Sequence, residues 1–203
     1  MPRPLQAVSA GARFRSFLSF AAFAGALFFT RASLADHYRV PSGSMEPTVD
    51  VADHIVVVKA AYGIRVPLTD RYVFGPATPS RGDVVVLTSP EDGIVLLKRV
   101  VATGGDRVSV TDGHVFVRPN RAEAASPRAT PDGHAREGID FTISLTYGGG
   151  PDLAETVVPE GKLLVLGDNR GNSHDGRSFG FVDSKAVLGR AAVVLGGRGV
   201  REL

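Results

Sequence analysis

Short runs of β-branched and other apolar residues, each ended by a turn, are the feature that most restricts the fold of this chain. Val, Ile and Thr favour extended backbone, whereas Gly, Pro, Asp and Asn favour the turns between strands. No amphipathic helical repeat is sustained beyond residue 40. The sequence therefore predicts a mostly β domain over residues 36–203. Its predicted strands are His54–Val58, Asp83–Leu87, Ile94–Val101, Arg107–Val110, His114–Val117, Lys162–Leu166 and Arg190–Leu195.

One hairpin and one insertion can be placed within this domain. Asp112-Gly113 separates two of the β-branched runs, and this dipeptide tolerates the positive φ angles that a tight hairpin turn requires. By contrast, the stretch near 119–140 is rich in Pro, Ala, Arg and Gly and has little to bury. We expect a surface insertion there, and the sequence assigns it no secondary structure.

A charge-free apolar run, Phe17–Phe29, lies near the N-terminus and follows Arg3, Arg13 and Arg15. Thirteen helical residues span only about 20 Å, so the run could also be a cleaved signal peptide or a buried helix. Extension through residues 30–34, with flanking arginines reaching the interfaces, favours a retained anchor. We predict a cytoplasmic segment at 1–14 and a transmembrane anchor at 15–35. Arginines concentrated before the run leave the rest of the chain outside the cytoplasm.

Composition excludes several classes of function. The formal net charge is +2 and the chain has no cysteine. Weak, scattered positive charge does not indicate nucleic-acid binding. Without cysteine there is no disulfide, no thiolate nucleophile and no cysteine-ligated zinc. The sequence also contains no phosphate-binding loop and no zinc-binding helix motif.

A candidate nucleophile, Ser44, follows the predicted anchor closely. It lies between Pro41 and Pro47, next to Gly43. Prolines fix φ on either side of it, and the glycine allows another backbone to approach, so a rigid, exposed serine is expected. For an isolated Ser-Gly-Ser, an ordinary juxtamembrane turn is the simpler interpretation. A catalytic interpretation needs a base elsewhere in the chain.

Two bases are conceivable. His174 has Asp175 beside it, but neighbouring residues seldom converge as base and orienting group, so a Ser44, His174, Asp175 triad is disfavoured. Lys98 lies in an apolar run where strand alternation places Leu96 and Val100 on its own face. Burial among them would lower its pKa and free its amine to act as a base. The alternative is that Lys98 is a strand-end charge that reaches water.

A third segment, residues 167–180, is dense in glycine and polar residues. Asp168, Asp175, Arg170 and Arg177 could pair there and fix the shape of a loop. A calcium loop is disfavoured because the acidic spacing does not match. No metal and no cofactor are therefore expected.

Together these segments resemble bacterial type I signal peptidases, the leader peptidase family with a Ser/Lys dyad. The ordered set of motifs is specific, although each motif alone is modest. The similar segments are Pro41-Ser42-Gly43-Ser44-Met45-x-Pro47-Thr48, Asp53-His54-Ile55-Val56-Val57-Val58-Lys59 with Tyr62-Gly63, Lys98-Arg99-Val100-Val101 with Gly104-Gly105-Asp106, and Gly167-Asp168-Asn169-Arg170 followed by Asn172-Ser173-x-Asp175-x-Arg177 and Phe179-Gly180.

The resemblance implies a signal-peptidase-like antiparallel β-sheet catalytic domain behind an N-terminal transmembrane helix. It implies Ser44 as nucleophile, Lys98 as general base, Ser173 as the hydroxyl that orients the amine, and Ser42 with the Ser44 N–H as oxyanion donors. Structural support would come from Arg99, Asp168, Asp175 and Arg177. Val40, Met45 and Leu97 would line pockets for small side chains, Leu97 least securely because a regular strand points it away from Lys98.

The implied activity is removal of N-terminal signal peptides from exported preproteins at the cell (inner) membrane, by a single-pass protein with its catalytic domain on the extracytoplasmic side. The partners would be preproteins and the lipid bilayer, with no nucleic acid, and the protein would be a monomer. Two other hypotheses stay open. One is a specialised Ser/Lys peptidase for a single secretion or conjugation substrate, and the other is a non-catalytic, membrane-tethered β-domain.

Overall fold

The computed structural model describes residues 15–24, 35–63, 77–118, 128–129, 134–137 and 141–203. Fourteen strands lie in these ranges and every strand pair is antiparallel. The strands are β1 (Ala35–Arg39), β2 (His54–Val58), β3 (Val84–Thr88), β4 (Val95–Thr103), β5 (Arg107–Thr111), β6 (His114–Arg118), β7 (Arg128–Ala129), β8 (His134–Glu137), β9 (Phe141–Ser144), β10 (Leu153–Val157), β11 (Lys162–Leu166), β12 (Val182–Asp183), β13 (Val187–Gly196) and β14 (Gly199–Glu202).

Helical structure is limited in the described residues. A helix, α1, covers residues 15–24, and a single-turn helix, α2, covers Gly176–Phe179. Short 3-10 turns occur at Gly43–Met45, Lys59–Tyr62, Arg170–Asn172 and Ser184–Ala186. The prediction of a mostly β fold is therefore confirmed.

The largest sheet has eight strands and contains the segments that position the candidate site. Its order is β1-β2-β13-β3-β4-β11-β12, with β14 added beside β13. Two three-stranded sheets, β10-β5-β6 and β7-β8-β9, accompany it. All seven predicted strands are present, and two of them, His54–Val58 and Lys162–Leu166, have the predicted ends.

Strands β3 and β4 lie in the middle of the large sheet and contribute to the core on both of its faces. Val84 and Val86 pack in one apolar cluster, whereas Val85 and Leu87 pack in another. This explains why β3 is a continuous apolar run: a strand covered on both faces needs no polar alternation. Lys98 on β4 is paired with Val85 and thus enters a region that is otherwise apolar.

The predicted hairpin is present between β5 and β6. Asp112 and Gly113 have φ angles of +50° and +79°, the left-handed values that a primed two-residue turn requires. The segment after β9 packs closely on this turn: a Cβ added to Gly149 would lie 2.2 Å from the Asp112 carbonyl carbon. The turn is therefore packed against residues 145–149.

The N-terminal predictions are tested only partly. No helix in the described ranges is long and apolar enough to cross a membrane. Residues 1–14 and 25–34 lie outside the described residues, so the cytoplasmic segment and the anchor stay predictions. Strand β1 begins at Ala35, where the predicted anchor ends. Within the predicted insertion near 119–140, the structure describes only β7 and β8.

We expect Gly113→Ala to destabilise the protein more than Gly148→Ala. Both glycines have left-handed φ angles, +79° and +81°, so each substitution should cost about 1 kcal/mol in backbone strain. A Cβ at Gly113 would also lie 2.7 Å from Leu145 and 2.8 Å from Gly149, whereas nothing lies within 4 Å at Gly148. Overpacking should add about 1–3 kcal/mol. Urea unfolding measures the difference, and equal losses would contradict this packing.

Candidate active site

The candidate nucleophile lies in a 3-10 turn, Gly43–Met45, between β1 and β2. Ser42 precedes the turn in extended conformation, with φ −139° and ψ 158°, and makes no capping hydrogen bond. The Ser44 N–H is among the first N–H groups of the turn, which have no acceptor within it. Ser44 is half-buried and Ser42 is exposed. The turn thus presents a serine hydroxyl and a backbone N–H on an accessible edge of the domain.

Lys98 meets this serine from β4. Its Nζ donates a hydrogen bond to Ser44 Oγ over 3.0 Å, and the residue is only 3% exposed. On the same face of β4, Leu96 and Val100 pack in an apolar cluster. The burial that strand alternation predicted for Lys98 is present, and the amine does not reach water as a strand-end charge.

The environment of Lys98 makes the neutral amine accessible. Burial lowers the pKa of Lys98 from 10.5 to about 8. The carboxylates of Asp175 and Asp168 raise this pKa, and the charge of Arg177 lowers it further. Desolvation disfavours the charged ammonium, and here it outweighs the two carboxylates. An amine with this pKa is a competent proton acceptor near neutral pH.

Gly167 allows the two serines of the site to approach each other. A Cβ added to Gly167 would lie 2.2 Å from Ser173 Oγ and 2.5 Å from the Ser44 carbonyl oxygen. Neither clash could be relieved without moving backbone or the candidate site itself. The Ser173 hydroxyl is buried and completes no hydrogen bond of normal geometry with the described residues, although it contributes to lowering the pKa of the neighbouring Asp175.

Asp168 forms a buried ion pair with Arg99, the residue after Lys98. Arg99 Nε and NH2 donate to its two carboxylate oxygens over 2.8 and 2.7 Å, and Asp168 is completely buried. Arg99 also donates to the Gly82 carbonyl and lies 4.3 Å from the centre of the Phe141 ring. The Thr48 hydroxyl donates to Asp168 over 2.5 Å. This network joins β4, the serine turn and the segment after β11.

Asp175 forms the second buried pair, with Arg177. Arg177 Nε and NH2 donate to its two oxygens, each over 2.8 Å, and both side chains are inaccessible to solvent. Burial would raise the pKa of Asp175, but the hydrogen bonds and charge of Arg177 and the N–H of Gly167 lower it, and the net direction is down. The predicted pairing within residues 167–180 is thus present for Asp175 and Arg177, whereas Asp168 pairs with Arg99 instead.

Asn169 fastens the segment after β11 to the serine turn. Its N–H donates to the Ser44 carbonyl over 3.1 Å, and its side-chain amide donates to the Gly43 carbonyl over 3.0 Å. Two consecutive carbonyls of the turn are therefore fixed by one residue. The amide also lies 3.4 Å from the Glu46 carboxylate.

The three predicted pocket residues share one apolar cluster. Val40 and Met45 are buried, with 5% and 1% exposure. Leu97 is partly buried and packs against the same cluster. Alternation along β4 gives Leu97 the opposite face from Lys98, as the sequence predicted.

The alternative histidine base lies in other contacts. His174 is 63% exposed and its Nε2 is 2.7 Å from Glu91 Oε2. Its ring also meets Phe179 edge-on, with 5.7 Å between the ring centres. Asp175, the proposed third member of that triad, is paired with Arg177. The structure therefore brings Lys98, and not His174, to Ser44.

Comparison with known families agrees with this arrangement. A family model described as signal peptidase, peptidase S26, matches residues 13–195. The chain belongs to this family. The matched range includes Ser44, Lys98 and the whole segment from Gly167 to Arg177.

Several relatives carry related names. The chain is 35% identical to a signal peptidase I of Pseudomonas fluorescens, over 81% of this chain and 66% of that protein. It is 34% identical to a signal peptidase I of Pseudomonas aeruginosa, with the same coverage. It is 32% identical to a probable thylakoidal processing peptidase 2 of Arabidopsis thaliana, over 85% of this chain and 41% of that protein. The chain therefore spans slightly less than two thirds of the length of the bacterial relatives.

Among solved structures, a signal peptidase I of Enterococcus faecalis V583 is similar to this chain. It is 27% identical, and the match covers 57% of this chain and 98% of that chain with a TM-score of 0.40.

Three residues with important contacts were given no individual role by the sequence. Thr48 and Asn169 stand inside the quoted motifs, but Asp168, which accepts from Thr48, and Gly43, which accepts from Asn169, lie 120 or more residues away along the chain. Gly167 is required by a close approach of two serines from separate segments. Its position directly before a polar, charged run was the available signal, because a glycine at such a junction often marks a close approach of chains.

We expect Lys98→Met to stabilise the folded protein. Because the folded-state pKa of about 8 lies below the ordinary value of 10.5, folding at pH 7 must bury a charge, at a cost of about 3 kcal/mol. Methionine removes that cost. The gain should be full below pH 8, fall between pH 8 and 10.5, and vanish above, as the wild-type amine becomes neutral in both states.

Unfolding in urea at a series of pH values measures this gain. Lys162→Met is the matched control, because Lys162 is 39% exposed and pairs with Asp183 at the surface. Its effect on the free energy of unfolding should stay below about 1 kcal/mol. A Lys98→Met protein no more stable than wild type at pH 7 would contradict the buried, pKa-shifted amine.

Proposed function

We propose that this protein is a membrane-bound serine endopeptidase that removes N-terminal signal peptides from exported preproteins with a Ser/Lys dyad. The observation that carries the proposal is the 3.0 Å contact between Ser44 Oγ and the buried amine of Lys98. A serine hydroxyl becomes an effective nucleophile when a positioned base takes its proton. Family membership and the names of the relatives support the same reaction.

The first half of the reaction follows from this contact. With Lys98 neutral, the hydrogen bond reverses and the Ser44 hydroxyl donates to the amine. Ser44 Oγ attacks the scissile carbonyl carbon as Lys98 Nζ takes the proton. Collapse of the tetrahedral intermediate breaks the C–N bond, and the ammonium gives its proton to the leaving amine. The products of this half are an acyl-enzyme on Ser44 and a released mature protein.

The second half uses the same groups with water. A water oxygen attacks the ester carbon while the neutral amine takes a proton from that water molecule. The ammonium then returns the proton to Ser44 Oγ as the ester bond breaks. Ser173 acts as the group that orients the amine, supported by its burial and its place against Gly167. Two buried ion pairs stabilise the surrounding segments and so maintain these distances. They are Asp168 with Arg99 and Asp175 with Arg177.

Negative charge on the carbonyl oxygen needs donors in both halves. The Ser44 N–H and the Ser42 hydroxyl supply them. The N–H has no acceptor within its own turn, and the Ser42 hydroxyl makes no capping hydrogen bond to the turn. Preorganised donors of this kind stabilise the transition state more than the ground state.

The proposed preference for small side chains near the cleaved bond rests on three pocket positions that the family resemblance implies. Val40 and Met45 are buried in the core, and only Leu97 of the three pocket residues keeps partial exposure. The family resemblance assigns to these positions pockets that accept small side chains. We therefore assign an Ala-x-Ala type of cleavage site as the substrate pattern.

The anchor completes the proposal. A span at 15–35 puts Ser44 about ten residues from the bilayer, so the site faces the surface where a signal peptide ends. The catalytic domain then lies on the extracytoplasmic side of the cell membrane, as a single-pass protein. Basic residues before the apolar run support this orientation.

We expect the full chain in detergent to cut an exported precursor after a small residue, with a rate that rises with pH. Since the pKa of Lys98 is about 8, the fraction of neutral amine increases about tenfold per pH unit below 8 and levels off above about 9. Quantified cleavage of purified precursor across pH 6–10 measures the profile. Ser44→Ala and Lys98→Met should each lower the rate by about a thousandfold or more.

His174→Ala is the matched control, because it removes the other conceivable base and should retain cleavage. Undiminished cutting by Lys98→Met would contradict the dyad. Cleavage of one dedicated precursor with none of general preproteins would favour the specialised peptidase. A wild-type protein that cuts no precursor at any pH would favour the non-catalytic domain.

A further inference from the structure

The last eight residues of the sequence contact the backbone that follows the serine turn. Residues 196–203 lie outside the range that the family model matches. Arg198, between β13 and β14, donates from NH2 to the Pro47 carbonyl over 2.7 Å and from Nε to Asp50 over 2.5 Å. One guanidinium thus holds both a carbonyl and a side chain of the segment after Ser44.

Arg201 on β14 makes the adjacent contact. Its NH1 donates to the Thr48 carbonyl over 2.8 Å, and its NH2 donates to Asp53 over 3.1 Å. Asp53 is 4% exposed and also accepts from the Asp50 N–H. Gly196 makes room for Asp53, because a Cβ there would lie 1.7 Å from its carboxylate. The buried Asp53 and the close approach at Gly196 therefore fix the hairpin against this segment, in addition to the arginine side chains.

Thr48 connects this hairpin to the dyad. Its carbonyl accepts from Arg201, while its hydroxyl donates to Asp168. Asp168 pairs with Arg99, the neighbour of Lys98 on β4. A continuous path of hydrogen bonds therefore runs from the C-terminal hairpin through the serine segment to the strand that bears the base.

The serine turn has few contacts of its own on this side. In the described part of the chain, the carbonyls of Pro47 and Thr48 accept hydrogen bonds only from Arg198 and Arg201. The 3-10 turn itself is three residues long, and such turns have weak internal hydrogen bonding. Without the arginines, these two carbonyls would lose their hydrogen bonds, and the segment would keep the Thr48 hydroxyl on Asp168 and the buried side chains of Met45 and Val49 on this side.

We propose that Arg198 and Arg201 are positioning residues that clamp residues 47–48 and so keep Ser44 Oγ within attacking and proton-transfer distance of Lys98. This inference rests on the proposed function. The two guanidiniums touch neither substrate nor the reacting atoms. Their effect reaches catalysis through backbone geometry, to which reaction rates are sensitive on the scale of about 1 Å.

The test compares Arg201→Met with wild type in cleavage of a purified precursor. Methionine keeps the apolar stem and removes both hydrogen bonds. We expect kcat per folded protein to fall about tenfold, with KM changed less than about twofold, because the clamp affects the chemical step and not substrate contacts. Arg201→Lys should recover part of the loss. The rise of the cleavage rate with pH should also move to higher pH in Arg201→Met, since a looser site admits water to Lys98 and raises its pKa.

The matched control is Arg107→Met on β5, which removes a surface ion pair with Glu155 and has no contact with the serine segment. It should cleave like wild type. All rates are taken at a temperature where circular dichroism shows every variant fully folded. If folded Arg201→Met has the kcat of the wild type, the inference is overturned, even if its melting temperature is lowered. The hairpin would then contribute only to stability.

A double-mutant cycle gives a second readout. Thr48→Val breaks the path between Arg201 and Asp168, so Arg201→Met should cost less in that background than in wild type. Additive effects on kcat would overturn the inference. If the wild-type protein cleaves nothing, the proposed function and this inference are overturned together. If the wild-type protein cleaves the precursor and Arg201→Met has the same kcat, this inference alone is overturned.

Discussion

Burial of the Lys98 amine is the physical constraint on which the rest of the site depends. Desolvation lowers its pKa, but Asp175 and Asp168 both lie near enough to raise it. Each of these carboxylates is paired with an arginine, Arg177 and Arg99 respectively. If either arginine were absent, an uncompensated buried carboxylate would favour a charged lysine. The two ion pairs therefore do more than fix loops, because they allow desolvation to decide the charge of Lys98, the proposed base.

The fold provides this environment by letting one strand serve two core faces. On β4, Leu96 and Val100 pack on the side that Lys98 shares, while Leu97 packs with Val40 and Met45 on the other. The segment after β11 packs on the serine turn. Because Gly167 has no side chain, the Ser173 hydroxyl and the Ser44 carbonyl can both lie close to its Cα. A side chain at position 167 would push apart the segments that carry Ser44 and Ser173.

Sequence reasoning predicted much of this arrangement, because periodicity and turn chemistry are local properties. The strand at His54–Val58, the Asp112-Gly113 turn and the burial of Lys98 follow from nearest neighbours. The partner of Asp168 does not: Arg170 and Arg177 are nearer in sequence, but the sheet register brings Arg99 beside it, opposite Leu166. Strand β10 was missed because Leu153–Val157 is half polar, and its half-exposed edge position does not require an apolar run. Contacts between distant segments, such as Thr48 with Asp168, depend on topology that composition does not encode.

The serine turn also shows why the frame must extend to the C-terminal hairpin. The proposed nucleophile must be accessible to substrate, so Ser44 cannot be fixed by burial as Lys98 is. A three-residue 3-10 turn has little stability of its own, and its carbonyls accept hydrogen bonds from another segment. Hydrogen bonds to those carbonyls therefore restrain the serine through its backbone. Asn169 holds the carbonyls of Gly43 and Ser44, and the arginines hold those of Pro47 and Thr48. Apart from the contact of Lys98 with Ser44 Oγ, the hydrogen bonds named here act on backbone carbonyls and do not use the Ser44 hydroxyl.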